Sequence, residues 1–226
     1  MKAIILKQNG GIENLILSEI EKPKIQPTEV LVRVKAISIN PVDAFARQNK
    51  QTVQAILKPK DEKEVIILGW DISGTVEEVG ANVKQFKKGD DVFGMVNFVG
   101  QGKAYAEFVA APADQLALKP ENISHEEAAG ATLAALTAWQ ALVNICKIKK
   151  GDKVLIHAAA GGVGHYAVQI AKSFGAYVIG TASSARYSVK SYDEMDVYDK
   201  YSQNDEIEEE ADLILDFSES NPFGTY

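Results

Sequence analysis

This chain has little of what disulfide and metal chemistry use. Cys146 is its one cysteine in 226 residues, so no disulfide forms within it and no cysteine cluster can hold a metal. Its three histidines, His125, His157 and His165, show no metal-ligand spacing, and no metal is expected. A lone cysteine fits a reducing cytosol, so the expected location is cytoplasmic. Long hydrophobic runs are also missing, which excludes a membrane-spanning helix. The opening MKAIILKQNG turns polar too soon for a signal peptide and reads as a first strand. Basic residues number 24 against 31 acidic ones, and a net charge of −7 argues against a nucleic-acid partner.

What is present is ordinary for a globular protein: 46% hydrophobic and 24% charged residues, enough for one large domain or two small ones. The charge is unevenly spread. Residues 193–219 hold twelve acids and one base, Lys200, for a net of −11, so the remainder sums to +4. Such a run is usually a solvated surface, and it would repel a phosphorylated ligand.

The most telling stretch runs from Leu155 to Arg186, LIHAAAGGVGHYAVQIAKSFGAYVIGTASSAR. Val154, Leu155 and Ile156 form a β-rich apolar run. Small residues and Gly161, Gly162 and Gly164 follow. Tyr166, Val168, Ile170, Ala171 and Phe174 then recur at helical spacing, and Gly175 stops them before Tyr177–Ile179 open another strand. Strand, glycine turn, helix and strand make half of a dinucleotide-binding unit. Its glycines let the backbone approach a pyrophosphate, and its helix offers unpaired N–H groups. The pattern is Ala158-x-x-Gly161-x-x-Gly164 rather than G-x-G-x-x-G, but the setting is the one the fingerprint requires. The alternative is a tight turn with no ligand.

No acid lies between Gly161 and Arg186. A binder of unphosphorylated dinucleotide usually carries one after the second strand, for the ribose 2′-OH. Ser183, Ser184 and Arg186 stand there instead and suit a 2′-phosphate, which favours NADP(H). The alternative for Arg186 is a solvated residue opening a helix.

Residues 1–120 read as β-rich, with short runs at Ala3–Leu6, Leu15–Leu17, Val30–Val34, Gly74–Val79, Asp91–Met95 and Glu107–Ala111 separated by turn signals. That spacing suggests a compact barrel-like domain. Ser124 and Glu127 form a capping-box pattern that opens a helix running through Ala128–Val143. Asp196–Tyr198 and Asp212–Phe217 read as a third and a buried fourth strand of the nucleotide unit. The expected domains are 1–122 and 123–226, the second incomplete at its C-terminal end.

In order along the chain stand AISINPVD (Ala36–Asp43), LGWDISGTVEEVG (Leu68–Gly80), KKGDDVFGM (Lys87–Met95), YAEFV (Tyr105–Val109), AAGATLAALTAWQAL (Ala128–Leu142) and LIHAAAGGVG (Leu155–Gly164). Together they resemble the medium-chain dehydrogenase/reductase superfamily, in its zinc-independent quinone oxidoreductase-like branch. The resemblance implies an α/β protein: an N-terminal GroES-like β-barrel domain and a Rossmann nucleotide-binding domain with a cleft between them. It implies NADPH-dependent reduction of a quinone or an α,β-unsaturated carbonyl, and dimers are common in the family. Asn40 and Asp43 would line the substrate end, Thr137 would contact the nicotinamide side, and Ala160, Gly161, Gly162, Val163 and Gly164 would carry the pyrophosphate. Zinc-dependent relatives place a cysteine where this chain has Asn40 and Gly-His-Glu where it has Gly69-Trp70-Asp71, so the resemblance implies no catalytic zinc. Each assignment has a plainer counterpart. Asn40-Pro41 could be a strand-ending turn, Asp43 a helix cap, Thr137 a helix residue bonding its own backbone, and Asp71 part of a satisfied polar network.

Two departures bear on function. Ala44-Phe45 replace the Tyr that often follows Asn-Pro-x-Asp in the family, so no proton donor carries over from it. The family's later Rossmann strands, and its return to the GroES-like domain, are not in these residues. A non-catalytic NADPH-binding or regulatory protein and an inactive truncated module therefore stand as alternative readings.

Overall fold

A computed structural model of the chain describes residues 1–61, 64–182, 196–199 and 211–216. They fold as two units, Met1–Leu133 and Ala134–Tyr226.

The first unit opens with β1 (Lys2–Leu6) and β2 (Leu15–Glu19), continues with β3 (Glu29–Ser38), and then turns helical in α1 (Pro41–Gln48) and α2 (Lys50–Thr52). Strands β4 (Ile66–Ile67), β5 (Asp71–Val79), β6 (Asp91–Met95), β7 (Phe108–Pro112) and β8 (Ala117–Leu118) follow, and α3 (His125–Gly130) closes the series. Antiparallel pairing gives a five-stranded sheet in the order β7-β3-β5-β6-β8 and a three-stranded sheet in the order β2-β1-β4. Alternation along β3 and β5 turns Val30, Val32, Ile72 and Val76 inward onto Val92 and Val109, all of them almost fully buried. Each such side chain contributes about 1.5–3 kcal/mol relative to exposure. A second cluster collects Ala46, Leu57, Leu68 and Trp70 around Ala3 and Ile67 of the smaller sheet.

Residues 41–57 are not strand-like in sequence, and their helices have a local cause. Pro41 sits at the first helical position, where its missing N–H is no loss. Asp43 reaches back to the Asn40 N–H at 2.7 Å, the acidic half of a capping box.

The second unit holds α4 (Leu133–Trp139, whose first residue belongs to the first unit), β9 (Lys153–His157), α5 (Gly162–Ser173), β10 (Tyr177–Ala182), β11 (Asp196–Asp199) and β12 (Leu213–Asp216). Its sheet is parallel, in the order β11-β10-β9-β12. Val154, Leu155 and Ile156 of β9 are all buried, as a central parallel strand demands. Helix α5 turns Ala167, Val168 and Ala171 onto Val154 and Ile156. Ser124 and Glu127 do form the expected capping box at the start of α3.

Two sequence expectations are corrected here. The helix expected to run unbroken through Ala128–Val143 is interrupted after Gly130, resumes at Leu133 and widens into a π-type turn over Gln140–Ile145. The Thr132 hydroxyl turns back to donate to the Ala129 carbonyl at 2.8 Å, and Gly130 is a poor helix former, so the helix breaks there. The strand expected at Asp212–Phe217 forms as Leu213–Asp216 and lies at the edge of the sheet among the described residues, with Leu215 buried but Ile214 47% exposed rather than buried. No helix among the described residues is long and apolar enough to cross a membrane.

Candidate functional site

In the first unit, the chain leaves β3 at Asn40 and enters α1, while β5 begins at Asp71 on the neighbouring strand. That pairing brings two carboxylates and an amide together. Asn40 donates its backbone N–H to Asp43 Oδ2 at 2.7 Å and its side-chain Nδ2 to Asp71 Oδ2 at 2.8 Å. Asp71 Oδ2 also accepts the Leu133 N–H at 3.4 Å. The two acids are 2% and 1% exposed. Neither Oδ1 has a hydrogen-bond partner among the described residues.

Burial pushes the Asp43 carboxyl up to about 6, and the nearby Asp71 charge adds to the rise. The Asn40 N–H is the strongest influence in the other direction, with the Tyr105 hydroxyl and the Gly69 N–H behind it. Burial raises Asp71 as well, opposed by Asn40, Thr132 and Leu133. Tyr105, mostly buried and facing Asp43, has its hydroxyl pushed above its ordinary range by desolvation and by that carboxylate. Sequence reasoning passed over Tyr105 as a site residue. Only its place in YAEFV marked it, and its meeting with Asp43 is set by tertiary packing.

Trp70, beside Asp71, is fully buried and donates its indole N–H to the Gly100 carbonyl at 2.8 Å. An indole nitrogen is a donor only, so it offers no metal a lone pair. No group of three or more His, Cys, Asp or Glu side chains among the described residues could hold a metal.

The second unit carries the glycine turn. Ala158, the residue after β9, has a left-handed backbone with φ of 52°. Its carbonyl accepts the Gly161 N–H at 2.8 Å and closes the loop. A Cβ on Gly164 would meet that carbonyl oxygen at 2.2 Å and Ala159 Cα at 2.8 Å, so only glycine lets α5 pack this close to the strand end. At Gly161 the same oxygen would lie 3.1 Å away. Gly162 differs: a Cβ there would meet nothing within 4 Å. The outer side of the loop is therefore open at the first residue of α5, where backbone N–H groups lack helical partners. Such a bare backbone face fits a pyrophosphate. Ala160 and Val163 flank it, both half-buried. The His157 ring and the Thr181 hydroxyl share a 3.0 Å hydrogen bond, and the Ala159 N–H donates to Thr181 O at 2.9 Å, so the strand ends beneath the loop are tied together.

Thr137 lies on α4 and is exposed. Ser183, Ser184 and Arg186 lie outside the described residues. The structure thus joins Asn40 to Asp43 in the first unit and sets Ala160–Gly164 in one turn in the second. It adds Asp71 and Tyr105 to the former group.

A glycine-bounded β-α-β nucleotide fold that follows a GroES-like β domain defines a dehydrogenase class. Residues 26–121 match the family described as the alcohol dehydrogenase GroES-like domain. The chain is 36% identical over 185 residues to a quinone oxidoreductase of Sus scrofa, covering 81% of this chain and 53% of that one. It is 37% identical over 191 residues to the chloroplastic NADPH-dependent alkenal/one oxidoreductase of Arabidopsis thaliana, covering 81% and 48%. Among solved structures, the quinone oxidoreductase from Coxiella burnetii superposes with a TM-score of 0.75 at 35% identity, over 97% of this chain and 63% of that one. The chain belongs to the medium-chain dehydrogenase/reductase superfamily, among its quinone oxidoreductase-like members. It spans about half the length of the curated relatives it matches.

Proposed function

We propose that this chain serves an NADPH-dependent, zinc-independent oxidoreductase that reduces a quinone or an α,β-unsaturated carbonyl in the cytoplasm. The observation that carries the reading is the turn at Ala158–Gly164, closed on its inner side by Ala158 O and open at Gly162. The names of the relatives support the reaction class. On this reading residues 1–122 form the substrate half and residues 123–226 the cofactor half.

NADPH, when bound, supplies the hydride. The protein's part is to bind, orient and exclude water. Ala160, Gly161, Gly162, Val163 and Gly164 present the backbone to the pyrophosphate, with the α5 dipole behind it. Ser183, Ser184 and Arg186 receive the 2′-phosphate, and Thr137 contacts the nicotinamide side. Asn40 and Asp43 shape the substrate end. The buried acids Asp43 and Asp71 make that end polar without offering a metal ligand set. Asp43, with its carboxyl near 6, can hold or release a proton close to neutral pH.

The test is steady-state NADPH oxidation by the full-length protein against quinones and enones, with NADPH titrated by fluorescence in parallel. Turnover with either substrate class supports the reading. Tight NADPH binding without turnover favours a non-catalytic NADPH-binding protein, and no binding overturns the cofactor assignment.

A further inference from the structure

We infer that Asp71 is a positioning residue for Asn40, orienting its side-chain amide; the inference rests on the oxidoreductase reading, which puts Asn40 at the substrate end. Asp71 is the first residue of β5 and is 1% exposed. A carboxylate that deep is costly unless its oxygens are paired. Here one oxygen takes two N–H donors, from the Asn40 amide at 2.8 Å and from Leu133 at 3.4 Å, and the other takes none. An apolar side chain at this place would avoid the cost of desolvation. The carboxylate also serves the fold, by accepting the Leu133 N–H, so its effect on the Asn40 amide has to be read apart from stability.

The charge fixes direction. A carboxylate accepts and cannot donate, so the Asn40 amide must turn its nitrogen, not its oxygen, toward Asp71. That settles which way a side chain with two nearly identical ends is turned. Asn40 is held twice: its main chain by Asp43 at 2.7 Å and its side chain by Asp71, 31 residues further along the chain. The capping box draws on the Asn40 side-chain oxygen, and the bond to Asp71 holds the amide nitrogen that the cap leaves over. The Leu133 N–H donates to the same carboxylate oxygen at 3.4 Å and so adds a second tie to Asp71.

The test uses the full-length protein with NADPH and the best quinone from the panel. Its variants are Asn40→Ala, Asp71→Leu, Asp71→Asn and the double variant Asn40→Ala/Asp71→Leu. Asp71→Leu keeps the volume and removes the acceptor. Expected is a folded protein that melts somewhat lower than the parent, because the Asn40 amide and the Leu133 N–H lose their acceptor, and that loses at least tenfold in kcat/KM. The double variant should lie within twofold of Asn40→Ala alone. Asp71→Asn retains an oxygen acceptor and should recover most of the loss. If Asp71→Leu does not fold, Asp71→Ser takes its place in the cycle. Parental kcat/KM in the acceptor-free variant, or losses that multiply in the double variant, overturn the inference while the oxidoreductase reading stands. A parent that turns over no quinone or enone overturns that reading, and this inference with it.

Discussion

Asn40 and Asp71 meet across two neighbouring strands, through a 2.8 Å hydrogen bond from a side-chain amide to a buried carboxylate. Asp43 joins from the other side of Asn40, so the two acids interact electrostatically through one bridging residue.

Asp43 should make stability depend on pH in the direction opposite to that of a salt-bridged acid. Its folded-state value, about 6, lies above the ordinary 3.8. Below 3.8 the carboxyl is neutral in both states. As pH rises through this window the unfolded chain releases its proton first, so the folded state loses stability until about pH 6. The shift corresponds to about 3 kcal/mol. Asp43→Asn keeps an acceptor for the Asn40 N–H and removes the charge. Urea unfolding of parent and variant from pH 4 to 7 should show the variant gaining on the parent as pH rises. A difference that does not change with pH would refute the assignment.

Metal removal should leave turnover unchanged. Asn40 is committed to Asp43 and Asp71, and the Trp70 indole to Gly100. Dialysis against a chelator, followed by rate measurement with and without added zinc, checks this. Loss of activity that zinc restores would contradict it.

Cofactor choice should follow the acid-free segment after β10. NADPH is expected to bind at least about tenfold tighter than NADH, or roughly 1.4 kcal/mol. Arg186→Glu should narrow or reverse that preference by setting a carboxylate against the 2′-phosphate. Equal dissociation constants for the two cofactors in the parent would end this reading.

The nucleotide unit was largely legible from sequence because its signals are local. A continuous apolar run fits a buried parallel strand, and small residues mark where α5 approaches the strand end. Strand Asp91–Met95 was bounded correctly for the same reason. The meeting of Asn40 with Asp71, and of Tyr105 with Asp43, was not legible, because each depends on strand pairing between distant segments. The break before Leu133 was hidden too. It comes from a threonine hydroxyl bonding backward inside an alanine-rich run that otherwise reads as helix.

Ala158 adopts a left-handed conformation at φ 52° without being glycine. That geometry costs an alanine about 1–2 kcal/mol, partly balanced by glycine's greater freedom when unfolded. Ala158→Gly should therefore be neutral or stabilising by up to about 1 kcal/mol. Ala158→Val should destabilise by about 2 kcal/mol or more, since β-branching worsens the strain. Thermal unfolding of the two variants checks the sign. A valine variant as stable as the glycine one would show that the strain is absent.

The glycines of the turn should separate fold from binding. At Gly164 an added Cβ meets backbone atoms of Ala158 and Ala159 at 2.2–2.9 Å, and backbone cannot step aside cheaply. Gly164→Ala should therefore lower stability by about 2 kcal/mol or more and weaken NADPH binding as a consequence of the displaced helix. At Gly162 an added Cβ meets nothing within 4 Å, and its φ lies outside the left-handed region. Gly162→Val should leave the melting temperature within a few degrees of the parent, since position, not strain, is what changes. It should nevertheless abolish NADPH binding, because the valine would occupy the face where the pyrophosphate meets the backbone. Cofactor titration beside thermal unfolding, on both variants, distinguishes the two roles. A Gly162→Val protein that melts like the parent and binds NADPH with parental affinity would remove the phosphate-cradle assignment, and with it the main support for an oxidoreductase.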